Sequence, residues 1–180
     1  MVVDRFHIGF ACAVTCLSYV ATVAAEGVQS GRSPSPCSDP IAGVLRGQKY
    51  NADAGYWVIY TLRIRRPAAG STHLTGTIGS ESWSGGPSES RPPACRADLR
   101  HFHVRMRARG RFSADGSFDF EGTSVHIERN HCNDPDAFDY RPDHFRGRLD
   151  QATRFLQTTN SDGGAAVNAP TVFQRVRCDL

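Results

Sequence analysis

The sequence predicts an all-β domain, and three observations carry that expectation. Short segments alternate apolar and polar residues with a period of two, the spacing that puts one face of a strand on a core. Gly, Pro, Asn and Asp punctuate these segments at close intervals. No sustained helical periodicity occurs anywhere after the first twenty-five residues. The expected architecture is a small antiparallel β-barrel or a β-sandwich, with two disulfides. Glycines that recur inside strand patterns favour the barrel, because a closed sheet needs sharp bends.

Residues 1–25 read as a secretory signal peptide. Arg5 supplies a positive charge, residues 8–23 carry none, and Val23-Ala24-Ala25 places small residues where a signal peptidase reads. The uncharged run is shorter than the about 20 residues a spanning helix needs. No transmembrane segment is expected once the leader is removed, and the expected location is secreted or periplasmic. Residues 26–40 are rich in Ser and Pro and predict a flexible lead-in. Residues 41–180 form the single β domain.

The elements follow in order. In Tyr56–Arg65, the residues Tyr56, Val58, Tyr60, Leu62 and Ile64 fall on one face, and Trp57, Ile59 and Thr61 on the other. Residues 74–80 form a strand with Leu74 and Ile78 inward and Gly76 between them. Residues 84–93 form a Ser/Gly/Pro loop, since Pro92-Pro93 bars a ladder. Residues 100–112 alternate again, with Phe102, Val104, Met106 and Ala108 on one face. His101, His103, Arg105, Arg107 and Arg109 take the other. Asp115-Gly116 is a hairpin signal. On the return strand, Phe118 and Phe120 have the opposite parity to Val125 and Ile127, so a bulge is expected near Gly122. Residues 145–149 repeat the apolar-x-Gly-x-apolar form of residues 74–78. Residues 152–156 read as a helical turn or a strand, 160–164 as a turn, and 171–177 as the last strand. The apolar-x-Gly-x-apolar strands resemble those of lipocalin-like and avidin-like barrels in general architecture.

Four cysteines follow the leader: Cys37, Cys95, Cys132 and Cys178. Export to an oxidising compartment predicts that they pair. The hairpin alignment sets Phe102 opposite Ile127 and Val104 opposite Val125, which brings Cys95 near Cys132. Cys37 is then left to pair with Cys178.

The same alignment places His126 across from His103 and Glu128 across from His101. His101, His103 and His126 then share one face, a workable three-ligand zinc set. The pattern His101-Phe102-His103 with His126 downstream resembles the zinc-ligand pattern of α-class carbonic anhydrases, over that short stretch only. That resemblance implies a zinc-dependent hydrolase or lyase as the alternative function. Asp134, Asp136, Asp139 and Asp143 cluster in one loop without the spacing of a calcium motif. No nucleophile motif is present.

The chain carries 21 Lys and Arg against 18 Asp and Glu, a net charge of +3. The arginines are dispersed and match no nucleic-acid motif, so no nucleic-acid partner is expected. The expected function is non-catalytic: an exported barrel that binds a small ligand or an envelope polymer and carries no cofactor, zinc being the alternative. Tyr56, Trp57, Tyr60 and Phe102 are the candidate ligand-binding residues, for their aromatic area on or beside a core strand.

Overall fold

A computed structural model describes residues 37–94, 99–131, 140–161 and 168–180. The leader, and most of the Ser/Pro-rich segment, lie outside those residues. Eight antiparallel strands form a closed barrel: β1 (Gly43–Asn51), β2 (Tyr56–Arg65), β3 (His73–Ser84), β4 (His101–Phe112), β5 (Ser117–His131), β6 (His144–Leu149), β7 (Leu156–Asn160) and β8 (Ala169–Arg177). Each strand pairs with its neighbours in sequence, and β1 returns to pair with β8. The barrel therefore stands and the sandwich does not. Among the described residues there is no helix, and none is long and apolar enough to cross a membrane.

The interior follows from parity. Val58, Tyr60, Leu62 and Ile64 of β2 are buried, and they meet Leu74, Ile78, Val104, Met106, Phe118, Phe120, Phe145, Leu149, Leu156 and Phe173 in one core. Gly76 and Gly147 supply bends. A Cβ on Gly76 would run into the carbonyl oxygen of Arg63 on β2, and one on Gly147 into that of Gln157 on β7. These strands fold over their neighbours where a side chain would block closure.

The two ends of the barrel differ. One end carries the β2–β3, β4–β5 and β6–β7 turns together with the start of β1 and the end of β8. There Cys37 and Cys178 are joined, with Cα atoms 5.5 Å apart across a separation of 141 residues. That is the expected pairing. Cys95 and Cys132 lie outside the described residues. Ile41, fully buried, joins the core beside this seam. Asp39 binds the Arg66 guanidinium at 2.6 Å and accepts the amides of Ile41 and Ala42.

Two features depart from expectation. β1 carries a weak alternation, with Leu45 and Gly47 inward among Arg46 and Gln48, and has no counterpart among the expected strands. The β4–β5 register is displaced by two residues. The bulge expected near Gly122 is present, where Thr123 is skipped between Arg107↔Ser124 and Ala108↔Gly122. A second bulge at Glu128 lies between His103↔Arg129 and Val104↔Ile127. Val104 thus faces Ile127, not Val125, and His126 faces Arg105, not His103.

Candidate functional site

The end of the barrel opposite the disulfide has a polar and aromatic interior. Tyr60 is buried, while Tyr56 and Phe102 are partly buried and pack against the core with Val125 and Tyr140. Phe102 meets Tyr140 edge to face, with centroids 6.1 Å apart. Lys49, the chain's one lysine, is in register with Val58, and its Nζ is shielded from solvent. Ile127, opposite Val104, remains 38% exposed near this end.

Below these side chains sits a carboxyl with 0% exposure, Asp143. Its Oδ1 accepts the Asn160 amide at 2.7 Å, and its Oδ2 accepts the Tyr140 hydroxyl at 2.9 Å. The Asn160 amide also lies 3.3 Å from the Tyr60 hydroxyl, and Asn160 Oδ1 accepts the His144 amide at 3.1 Å. A buried carboxyl is tolerated only with such partners. Burial pushes the Tyr140 phenol well above its ordinary value, and the adjoining Asp143 carboxyl pushes it the same way. Tyr140 therefore stays protonated and keeps its donor role.

Trp57, the fourth candidate ligand-binding residue, is not part of this interior. It points outward from β2 and stacks on Trp83 of β3. The loop of residues 85–94 folds back over both rings. Its Gly86 carbonyl accepts the Trp57 indole N–H and its Glu89 carbonyl accepts that of Trp83, each at 2.9 Å. Gln48 Nε2 donates to the Ser90 carbonyl at 2.6 Å. Trp83 is fully buried and Ile59 nearly so, although both lie outside the barrel. This patch is a second, smaller core.

Beside that patch stands a cluster of metal-ligating side chains. β3 and β4 set Glu81 opposite His103 and Trp83 opposite His101. Glu81 Oε1 lies 3.1 Å from His101 Nε2 and 3.0 Å from His103 Nε2. One donor atom from each of the three side chains lies within 4.8 Å of the other two. His101 is only 8% exposed and stands edge-on to Trp83. A groove of about 200 Å³ opens beside His103, lined also by Ile59, Glu81, Arg105 and Glu128. Arg105 is ion-paired to Glu128 at 2.9 Å.

Of the three histidines expected to share a face, the structure brings His101 and His103 together with Glu81. His126 stays exposed opposite Arg105 and does not belong to this group. Glu128, expected across from His101, sits in the second bulge. Glu81 carries a signal in the sequence, because it continues the outward parity of β3 past residue 80. Its approach to the histidines depends on β3–β4 pairing across a connection too long to set a register. Of the clustered loop aspartates, Asp143 is the buried one just described, and Asp134, Asp136 and Asp139 lie outside the described residues.

No family model, no curated protein and no solved structure matches the chain.

Proposed function

We propose that the protein is an exported, non-catalytic barrel that takes up a small ligand at the end opposite the Cys37–Cys178 bridge. The observation that carries this reading is the grading of the interior. Toward the disulfide, the barrel is filled by Leu74, Phe112, Phe118, Leu149, Leu156 and Ile41. Toward the other end, the partly buried Tyr56, Phe102 and Tyr140 cover a layer of hydroxyl, amide and carboxyl groups from Tyr60, Asn160 and Asp143. An eight-stranded barrel has room for its own side chains or for one small molecule. Apolar walls with a few convergent polar groups suit a small ligand that has an aromatic or aliphatic body and one hydrogen-bonding head. The leader pattern at residues 1–25 and the disulfide support export, since such bridges persist in oxidising compartments.

Titration with 1-anilinonaphthalene-8-sulfonate tests the reading, because the dye pairs an apolar body with a polar head. Saturable binding of one dye per protein is expected, weakened at least about tenfold, or 1.4 kcal/mol, by Phe102→Glu. A wild-type protein that gives no saturable signal, or a Phe102→Glu variant that binds the dye unchanged, overturns the reading.

A further inference from the structure

We propose that Glu81, His101 and His103 form a zinc site on the outer face of the barrel, with its open coordination position turned toward the groove beside His103. The site lies outside the barrel, so its fate is independent of whether the interior takes a ligand.

The donor set selects the metal class. Two imidazoles and one carboxylate suit a borderline divalent ion such as zinc, whereas calcium and magnesium require oxygen. The distances fit. Ligands held tetrahedrally at about 2.0–2.1 Å from zinc stand about 3.3 Å from one another. The two separations from Glu81 Oε1 are 3.1 and 3.0 Å, and all three donors lie within 4.8 Å. Small side-chain rotations close the remaining span. The metal replaces whatever proton the carboxylate shares with the rings, so the three donors need no new neighbours.

The backbone holds these groups in place. His101 and His103 are two residues apart on one strand and therefore share a face. Glu81 is the cross-strand partner of His103. His101 stands against Trp83, whose indole is fixed to the Glu89 carbonyl, so at least one ligand is braced by packing. Arg105, two residues beyond His103 on the same face of β4, brings a cation beside the site. It is engaged by Glu128 at 2.9 Å, which offsets its charge. Three protein ligands with a fourth position open is the arrangement of an exchangeable zinc site, not of a closed structural one.

Isothermal titration of zinc chloride into the chelator-stripped protein, followed by cobalt(II) substitution, tests this. One equivalent of zinc is expected to bind with a Kd of about 10 µM or tighter. Glu81→Gln and His103→Ala are each expected to weaken binding at least about tenfold, while His126→Ala leaves it unchanged. Circular dichroism confirms that each variant is folded. The cobalt(II) form of the wild type should show the intense visible bands of a four-coordinate ion, a readout that needs no variant. Absence of stoichiometric binding, pale octahedral cobalt bands, or equal affinity in Glu81→Gln and the wild type overturns the site. Loss of binding in His126→Ala equally overturns this ligand set.

Discussion

Trp57 and Trp83 stack on the outside of the barrel with ring centroids 6.3 Å apart and 13° between their planes. They are the only two tryptophans of the chain. Each indole donates to a carbonyl of the same loop. The pair buries apolar area that the barrel alone would leave in water, and it ties residues 85–94 to the wall.

The stacked pair predicts an aromatic exciton couplet in the far-ultraviolet circular dichroism. Trp57→Phe and Trp83→Phe should each abolish it. Trp83→Ala, which empties a fully buried site, should cost about 3–5 kcal/mol of stability and leave the 85–94 loop open to proteolysis. Persistence of the couplet in either single variant would show that the rings do not stack in solution.

Asp39 predicts an acid-sensitive seam. Burial raises its carboxyl, but the Arg66 guanidinium and the amides of Ala42 and Ile41 outweigh burial and hold it below the ordinary value of 3.8. A carboxyl depressed in the folded state stabilises the fold above its unfolded pKa, and that stability is lost as pH falls through the folded value. Wild type should therefore lose stability relative to Asp39→Asn as pH falls below 3.8. At pH 7 the variant should be less stable by about 1 kcal/mol. Denaturant unfolding at a series of pH values reads both effects.

Gly147 and Gly79 make an internal comparison. Ala at Gly147 meets the backbone of β7, whereas Ala at Gly79 meets only ordinary contacts around Thr61. Thermal unfolding should show Gly147→Ala destabilised by more than about 1 kcal/mol, and Gly79→Ala within about 0.5 kcal/mol of wild type.

Tyr140 should remain protonated at pH 10, because burial and Asp143 both raise its phenol well above the ordinary value of 10.0. Ultraviolet titration of Tyr140→Phe should therefore lose no amplitude near pH 10 relative to wild type. The same variant should lose about 1–2 kcal/mol, as Asp143 gives up one of its partners. A loss of one full tyrosinate step in the variant would place the phenol in solvent.

Mass spectrometry of protein recovered from its native compartment should find the N-terminus at or near Glu26, as the leader pattern requires. Non-reducing peptide mapping should recover Cys37 joined to Cys178. Reducing that bridge releases a loop spanning a separation of 141 residues, and should lower stability by about 5 kcal/mol in the chain-entropy model.

How much of this was legible in the sequence depends on how local each determinant is. The core face of β2 was legible, because Tyr56, Val58, Tyr60, Leu62 and Ile64 keep strict parity and no bulge interrupts them. The bulge near Gly122 was legible because two Phe and two aliphatic residues disagree in parity across it. The second bulge at Glu128 was not. No Gly marks it, yet it displaces the histidine alignment. The alignment that leaves Cys37 to pair with Cys178 is off by two residues at Val104, yet the pairing itself is present because the start of β1 and the end of β8 meet at the barrel seam. Parity places Trp57 outward, while its aromatic area marks it as a candidate ligand contact. Only the fold-back of residues 85–94 shows that it belongs to a covered patch. Glu81 was not legible as a partner of His101 and His103, because its approach is a tertiary event between strands joined by a long connection.

The disulfide beside the β1–β8 seam makes the covalent chain from Cys37 to Cys178 a ring. Every strand pairing but that seam joins neighbours in sequence. The tight hairpins can therefore zip up with little loop-closure cost, and the seam is the pairing of greatest sequence separation that folding must wait for. A ring has no privileged starting point. A circular permutant opened at the Ala114-Asp115 turn, with the segments before β1 and after β8 joined by a short peptide in place of the bridge, keeps every pair of neighbouring strands. It transfers the slow step to the β4–β5 hairpin, so the kinetics of such a variant would show which closure limits assembly.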